Sequence, residues 1–227
     1  MVNNPGADQV ERKQKKSIRL DPERQREEHR AAKGETKPLE GKCVAILATD
    51  GFEQSELIEP REALESAGAT TTVIAPHAGS IRGWQHKDWG DDVKVDLTLD
   101  EANPDDYDAL LLPGGVMNPD HLRTDRGAVC LVRSFFDAEK PVAAICHGPI
   151  MLIEANVLQD RHVTSWPSLR TDIQNAGGQW SDEEVVVDRG LVTSRKPSDI
   201  PAFNRTMIEE FAENTVGTRT DRGPVEA

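Results

Sequence analysis

Four short apolar runs punctuate the middle of this 227-residue chain: "CVAILA" from Cys43, "TTTVIAP" from Thr70, "DALLLPGG" from Asp108 and "PVAAIC" from Pro141. Most are aliphatic nearly throughout rather than alternating, the pattern of strands buried on both faces. Helical segments separate them. "SELIEPREALESAG" ends at Gly68, with Pro60 implying a late start or a kink. "DRGAVCLVRSFFDAEK" repeats Val129, Val132, Phe135 and Phe136 at helical spacing, and "GPIMLIEANVL" carries Pro149 in its first turn. Buried strands joined through helices must run parallel, because only a crossover connection returns the chain to the same edge. The expected fold is therefore α/β, a doubly wound, mostly parallel sheet sandwiched by helices. "VKVDLTL" reads as one more strand. After "HVTSW" come a helix around "SLRTDIQNAGG", a hairpin through "EVVVDRGLVTS" and a terminal helix "SDIPAFNRTMIEEFAE".

The flanks differ from this core. Residues 1–40 hold few aliphatic side chains and many charges, with "DPERQREEHRAAKG" as the best local helix, from the Asp21 cap to the Gly34 stop. They read as a flexible extension, residues 41–216 as the α/β domain and residues 217–227 as a loose tail. The charge is concentrated in the remainder: residues 41–227 carry 17 basic and 32 acidic side chains, a net of −15. An acidic body repels nucleic acid and anionic membranes, so neither is an expected partner. No apolar stretch reaches the roughly 20 residues a spanning helix needs, and a signal-type apolar segment is missing, so the expected location is cytoplasmic.

Three cysteines without C-x-x-C spacing suggest neither a disulfide framework nor a zinc site. The scattered His77, His86, His121 and His162 show no ligand spacing, so neither metal nor cofactor is expected. Cys43 falls in a strand and Cys130 on an apolar helix pattern, where free cysteines are usually buried small hydrophobes. Cys146 falls on a strand-to-helix turn, where helix N–H groups and a neighbouring imidazolium would lower a thiol pKa. The ends of three strands carry "TDGFEQSE", "GGVMNPDHLR" and "CHGP". If those strands are neighbours, an acid, a glycine pair and a cysteine converge where ligands bind in such sheets. Pattern alone leaves plainer readings open: Cys146 as a buried hydrophobe, Glu53 as a loop acid, Gly115 as a turn, and His147 and Asp120 as caps. The tryptophans of "WQHKDWG" suit an interface or packing better than a substrate.

"PVAAICHGP" together with "DALLLPGG", "GFEQSELIEP" and "VTSWPSLRTDIQNAGGQW" resembles the PfpI family of intracellular proteases, a branch of the class I glutamine amidotransferase-like superfamily. The likeness covers about residues 41–213 and extends to general stress proteins and parkinsonism-associated deglycases. It implies a flavodoxin-like fold and a set of roles. Cys146 matches the nucleophile. Glu53 matches the glutamate that hydrogen-bonds to the sulfur and passes a proton. Gly115 and His147 match the backbone donors of an oxyanion hole, and His147 also the histidine paired with the cysteine. Asp120 stands where hexameric members place an acid that reaches the histidine of a neighbouring subunit, though it is one methylene shorter. Trp166, near the pocket, replaces a tyrosine and so removes a phenolic donor.

The resemblance thus implies a cysteine-dependent enzyme acting on carbonyls in the stress response. It would be a glutathione-independent glyoxalase or protein deglycase, or an intracellular cysteine peptidase. The substrate would be a small aldehyde or a glycated or peptide group, and the assembly a homo-oligomer, dimer or hexamer. The alternative is a redox-sensing or chaperone-like stress protein in which Cys146 is oxidised rather than catalytic. Amidotransfer is disfavoured, because the downstream His-x-Glu pair of those enzymes is absent.

Overall fold

The computed structural model describes residues 36–213. The expected helix at 21–34 and the tail at 217–227 lie outside the described residues. The central sheet has seven strands in the order β11-β12-β8-β7-β1-β3-β6. Its middle is parallel: β1 (Cys43–Leu47) lies between β3 (Thr70–Ala75) and β7 (Ala109–Leu112), and β8 (Val142–Ile145) between β7 and β12 (Leu191–Ser194). The short β6 (Leu97–Thr98) closes one edge in parallel. At the other edge β11 (Val185–Asp188) pairs antiparallel with β12 across an Arg189-Gly190 turn. Both turn residues take positive φ, 51° and 80°, as a two-residue type I′ hairpin requires. The expected mostly parallel, doubly wound α/β architecture is what the chain adopts.

Period-two alternation along β1 sorts the core into two layers. Val44 and Ile46 face a layer containing α1 (Gln54–Ser66) and α6 (Ile200–Glu213), through Leu57, Leu64, Phe203 and Met207. Ala45 and Leu47 face the opposite layer, filled by Leu131, Val132 and Phe135 of α3 (Arg126–Asp137) and by Met151 of α4 (Ile150–Glu154). Asp125 caps α3, its carboxylate accepting from the N–H groups of Gly127 and Ala128 at 2.7 and 3.2 Å. Leu39, just before β1, is fully buried in the first layer.

Several local readings change. α1 begins at Gln54 and runs through Pro60, so the proline does not delay its start. "WQHKDWG" forms the tip of a hairpin between β4 (Ser80–Gln85) and β5 (Asp88–Lys94), which joins β2 (Phe52–Glu53) in a separate three-stranded sheet. "VKVDLTL" is consequently not one strand but the end of β5 followed by β6. Cys130 is exposed rather than buried, because the buried face of α3 is Ala128, Leu131, Val132 and Phe135. Two further pieces, β9 (His162–Val163) and β10 (Gln179–Trp180), pair with each other, and the short helices α2 (Met117–Leu122) and α5 (Arg170–Asn175) complete the body. The carboxyl ends of β1, β7 and β8 lie side by side, which brings the three suspected loops together.

Candidate active site

β8 is central and all four of its residues are buried. The chain leaves it through Cys146, which takes φ 62°, a left-handed conformation uncommon outside glycine. Tertiary hydrogen bonds fix this elbow from both sides. The Cys146 N–H donates to the Ser194 carbonyl at 3.0 Å, and its own carbonyl accepts from the Trp166 N–H at 2.9 Å. The thiol is thereby held, 7% exposed, at the floor of a cavity of about 400 Å³.

Three groups surround the sulfur. His147 Nδ1 is 3.3 Å from Sγ. The backbone N–H groups of Gly115 and His147 bear on Sγ and favour negative charge there. The third group is the carboxyl of Glu56, which lies against the sulfur. Glu56 is fully buried, and its Oε2 accepts the Gly114 N–H at 3.1 Å while Oε1 has no hydrogen-bond partner. Glycine is required at 114 because a Cβ there would collide with Glu56 Oε2 and stand 2.7 Å from Cys146 Cβ. At Gly115 φ is 80°, and a Cβ would meet the Glu53 backbone nitrogen at 2.6 Å.

The electrostatics follow from burial. Desolvation pushes the Glu56 carboxyl up to about 8, and the nearby Glu53 carboxylate adds to the shift. Burial and the Glu56 carboxylate likewise push the Cys146 thiol up, against the two backbone N–H groups. The lowered thiol expected from the turn is not found. α4 starts only at Ile150, and burial pushes the His147 imidazole down, so the anticipated imidazolium is absent at neutral pH. Cys146 and Glu56 therefore titrate as a coupled pair.

Glu53 does not make the sulfur contact that the resemblance assigned to it. It sits at the N-cap of α1 without a capping bond, half-buried at the cavity wall, with Oε1 accepting from Ser55 Oγ at 3.4 Å. The acid at the sulfur is one helical turn further on. Gly115, His147 and Trp166 do join Cys146 in the cavity. The Trp166 ring stacks on His147, centroids 6.0 Å apart and planes 25° from parallel. His147 Nε2 faces Ser168 Oγ at 3.5 Å. Asp120 is elsewhere within this chain, on α2, exposed and paired with Arg123 at 3.2 Å.

Asn118 also escaped the sequence reading. Fully buried, it accepts the Thr49 N–H at 2.8 Å and donates to the Pro113 and Gly114 carbonyls at 2.9 and 3.1 Å. It ties the glycine pair to the end of β1. Among the described residues no cluster of three or more His, Cys, Asp or Glu side chains is arranged to hold a metal ion, and no helix is long and apolar enough to cross a membrane.

Residues 42–210 match the DJ-1/PfpI family. The chain belongs to that family. General stress protein 18 of Bacillus subtilis (strain 168) is 47% identical over 170 residues, covering 74% of this chain and 96% of that protein. Protein/nucleic acid deglycase 2 of Escherichia coli (strain K12) is 45% identical over 169 residues, with 74% and 96% covered. Among solved structures, Drosophila melanogaster DJ-1beta superposes with a TM-score of 0.69 at 27% identity, over 75% of this chain and 90% of that one.

Proposed function

We propose that this protein is a cysteine-dependent enzyme that converts reactive aldehydes without glutathione, in the manner of a glyoxalase or deglycase. The observation that carries this reading is the Glu56 carboxyl, buried against Cys146 and protonated up to about pH 8. A peptidase needs an imidazole poised to protonate a leaving amine. Here Ser168, not a carboxylate, stands beside the second nitrogen of His147, and burial disfavours the imidazolium that would have to form. An aldehyde has no amine to expel, and a carboxyl at the sulfur suits proton transfer to oxygen and carbon.

With methylglyoxal as substrate, the reacting form is the pair after loss of its first proton, with one proton left between sulfur and carboxyl. The Cys146 sulfur bonds to the aldehyde carbon, and the carbonyl electron pair moves to oxygen, which takes the Glu56 proton. Glu56, now a carboxylate, removes the hydrogen from that carbon. The C–H electrons form a carbon–carbon double bond, the ketone electron pair moves to its oxygen, and that oxygen takes the hydroxyl proton of the first carbon. The first oxygen then re-forms its carbonyl as the double-bond electrons take the Glu56 proton at the adjacent carbon, which leaves a lactoyl thioester and a Glu56 carboxylate. Water then adds to the thioester carbonyl, the C–S bond breaks, lactate departs with one proton released to solvent, and the one-proton pair is restored. The N–H groups of Gly115 and His147 stabilise the oxyanions, each such donor typically being worth about 3–4 kcal/mol.

The test is methylglyoxal consumption and lactate formation in glutathione-free buffer. Wild-type protein should turn over, Cys146→Ser should lose at least about a thousandfold, and Cys43→Ser and Cys130→Ser should stay within about twofold. Equal consumption by Cys146→Ser would reject the assignment. Hydrolysis of peptide amides without aldehyde turnover would move the chain to the peptidase reading.

A further inference from the structure

If Glu53 does not touch the sulfur, its position at the cavity wall calls for another account. We propose that Glu53 makes the Cys146 cavity selective for carbonyl compounds that carry a positively charged nitrogen group. The proposal rests on the preceding reading only in taking Cys146 as the reacting atom.

The lining carries the argument. Among the described residues, Glu53 and Glu56 are its acids, the imidazoles His86 and His147 its other titratable side chains besides Cys146, and no lysine or arginine lines it. Glu53 and Trp84 are partners in the β2–β4 pairing, so a carboxylate and an indole stand side by side at the wall, with Trp166 also in the lining. Aromatic rings beside a carboxylate form the surroundings that bind organic cations, because ring quadrupole and charge attract the same sign. The guanidinium of β4, Arg82, is engaged elsewhere. Its Nε donates to the Gly90 carbonyl at 3.2 Å and lies 4.0 Å from Asp92, with the group over the Trp89 ring. Glu53 is only half-buried, and among the described residues its one side-chain hydrogen bond is the long one from Ser55. Its carboxylate is therefore available to a ligand in the cavity. An anionic substrate would instead meet two acids, with the His86 imidazole, which already acts on Glu53, as the group beside them that can offset their charge.

Charged thiol reagents test this without any turnover. Methanethiosulfonates transfer their alkylthio group to a cysteine thiolate, forming a disulfide and releasing methanesulfinate. The reagents would carry a trimethylammonium or a sulfonate at the end of the same ethyl chain. Exposed Cys130 serves as the internal reference, resolved from Cys146 by peptide mass. At low salt the cationic-to-anionic rate ratio at Cys146 should exceed that at Cys130 by about tenfold or more, the order expected from Coulomb's law in a partly solvated cavity. Glu53→Gln, which keeps the Ser55 acceptor, should remove most of that excess and leave Cys130 unchanged. In wild-type protein, 0.5 M salt should also flatten it.

Equal ratios at the two cysteines, or a Cys146 preference that neither Glu53→Gln nor salt reduces, would overturn the proposal. Were methylglyoxal turnover absent while the charge preference stood, the aldehyde reading alone would fail. Turnover without preference would sink only this inference.

Discussion

Of two acid-lined cavities among the described residues, one is built for chemistry and the other is not. The larger, about 500 Å³, is lined by Asp120, Arg123, Asp172, Asn175 and apolar residues of α4 and of the two caps of α5. Its acids are exposed, and Asp120 already has Arg123 as a partner, so solvent and ion pairing leave it chemically quiet. The smaller, about 400 Å³, buries Glu56 without a cation and sets it against a strained cysteine. Neither volume nor acid content separates them. What separates them is an uncompensated buried carboxyl, whose desolvation holds a proton at working pH for transfer.

The strongest way to break that comparison is to remove the charge from the smaller cavity. Glu56→Gln should slow turnover by about a hundredfold or more, the usual scale for a lost acid or base. The same substitution should stabilise the fold at high pH. Because the folded pKa, about 8, lies above the ordinary 4.5, the carboxyl's favourable contribution is complete below pH 4.5 and is lost as pH rises through about 8. Each unit in that window is worth about 1.4 kcal/mol. Glutamine stays neutral. The difference in urea midpoint between the variant and wild type should therefore widen in the variant's favour from pH 5 to pH 9, and a constant difference would deny the burial argument.

A smaller effect is expected at Asn118, which acts on the cavity through the loop it ties. Asn118→Ala strands the Thr49 N–H and the Pro113 and Gly114 carbonyls, at a cost of about 1–3 kcal/mol per unpaired group. Measured well below its melting temperature, the variant should lose about tenfold in kcat with little change in KM, because the Gly115 donor is misplaced rather than the cavity closed. A fall in stability with kcat intact would make Asn118 purely structural.

The larger cavity should yield the smallest effect. With the acid supplied from within the chain by Glu56, Asp120→Ala should reduce turnover by less than about threefold. A large loss, recovered by mixing Asp120→Ala with Cys146→Ser subunits in confirmed hybrid oligomers, would instead show Asp120 completing a partner's site.

The sheet was legible because its strands are buried on both faces, and such runs as "ALLL" and "VAAI" carry little ambiguity. The β4–β5 hairpin was not. It lies outside the main sheet, and most of β5, "DWGDDVK", is exposed and polar, so periodicity gives it no signal. Cys146 could be found because turn chemistry surrounds it. Glu56 was missed for a physical reason: loop acids draw attention, whereas a helix acid reads as a solvated one. A signal was present nonetheless, since Glu56 directly precedes Leu57 on the buried stripe continued by Pro60 and Leu64. A carboxylate inside an apolar stripe is the feature to look for. Asn118 left no comparable mark, because nothing local shows that its three partners lie on β1 and the glycine loop.

The most direct measurement of the central claim is the pH dependence of Cys146 alkylation by uncharged iodoacetamide, in wild type, Glu56→Gln and Glu53→Gln. If sulfur and Glu56 share a proton, the wild-type rate should climb through a step near pH 8 and then level, as the pair loses its first proton. Glu53→Gln should keep the step, and Glu56→Gln should abolish it. An unaltered step in Glu56→Gln would contradict the account.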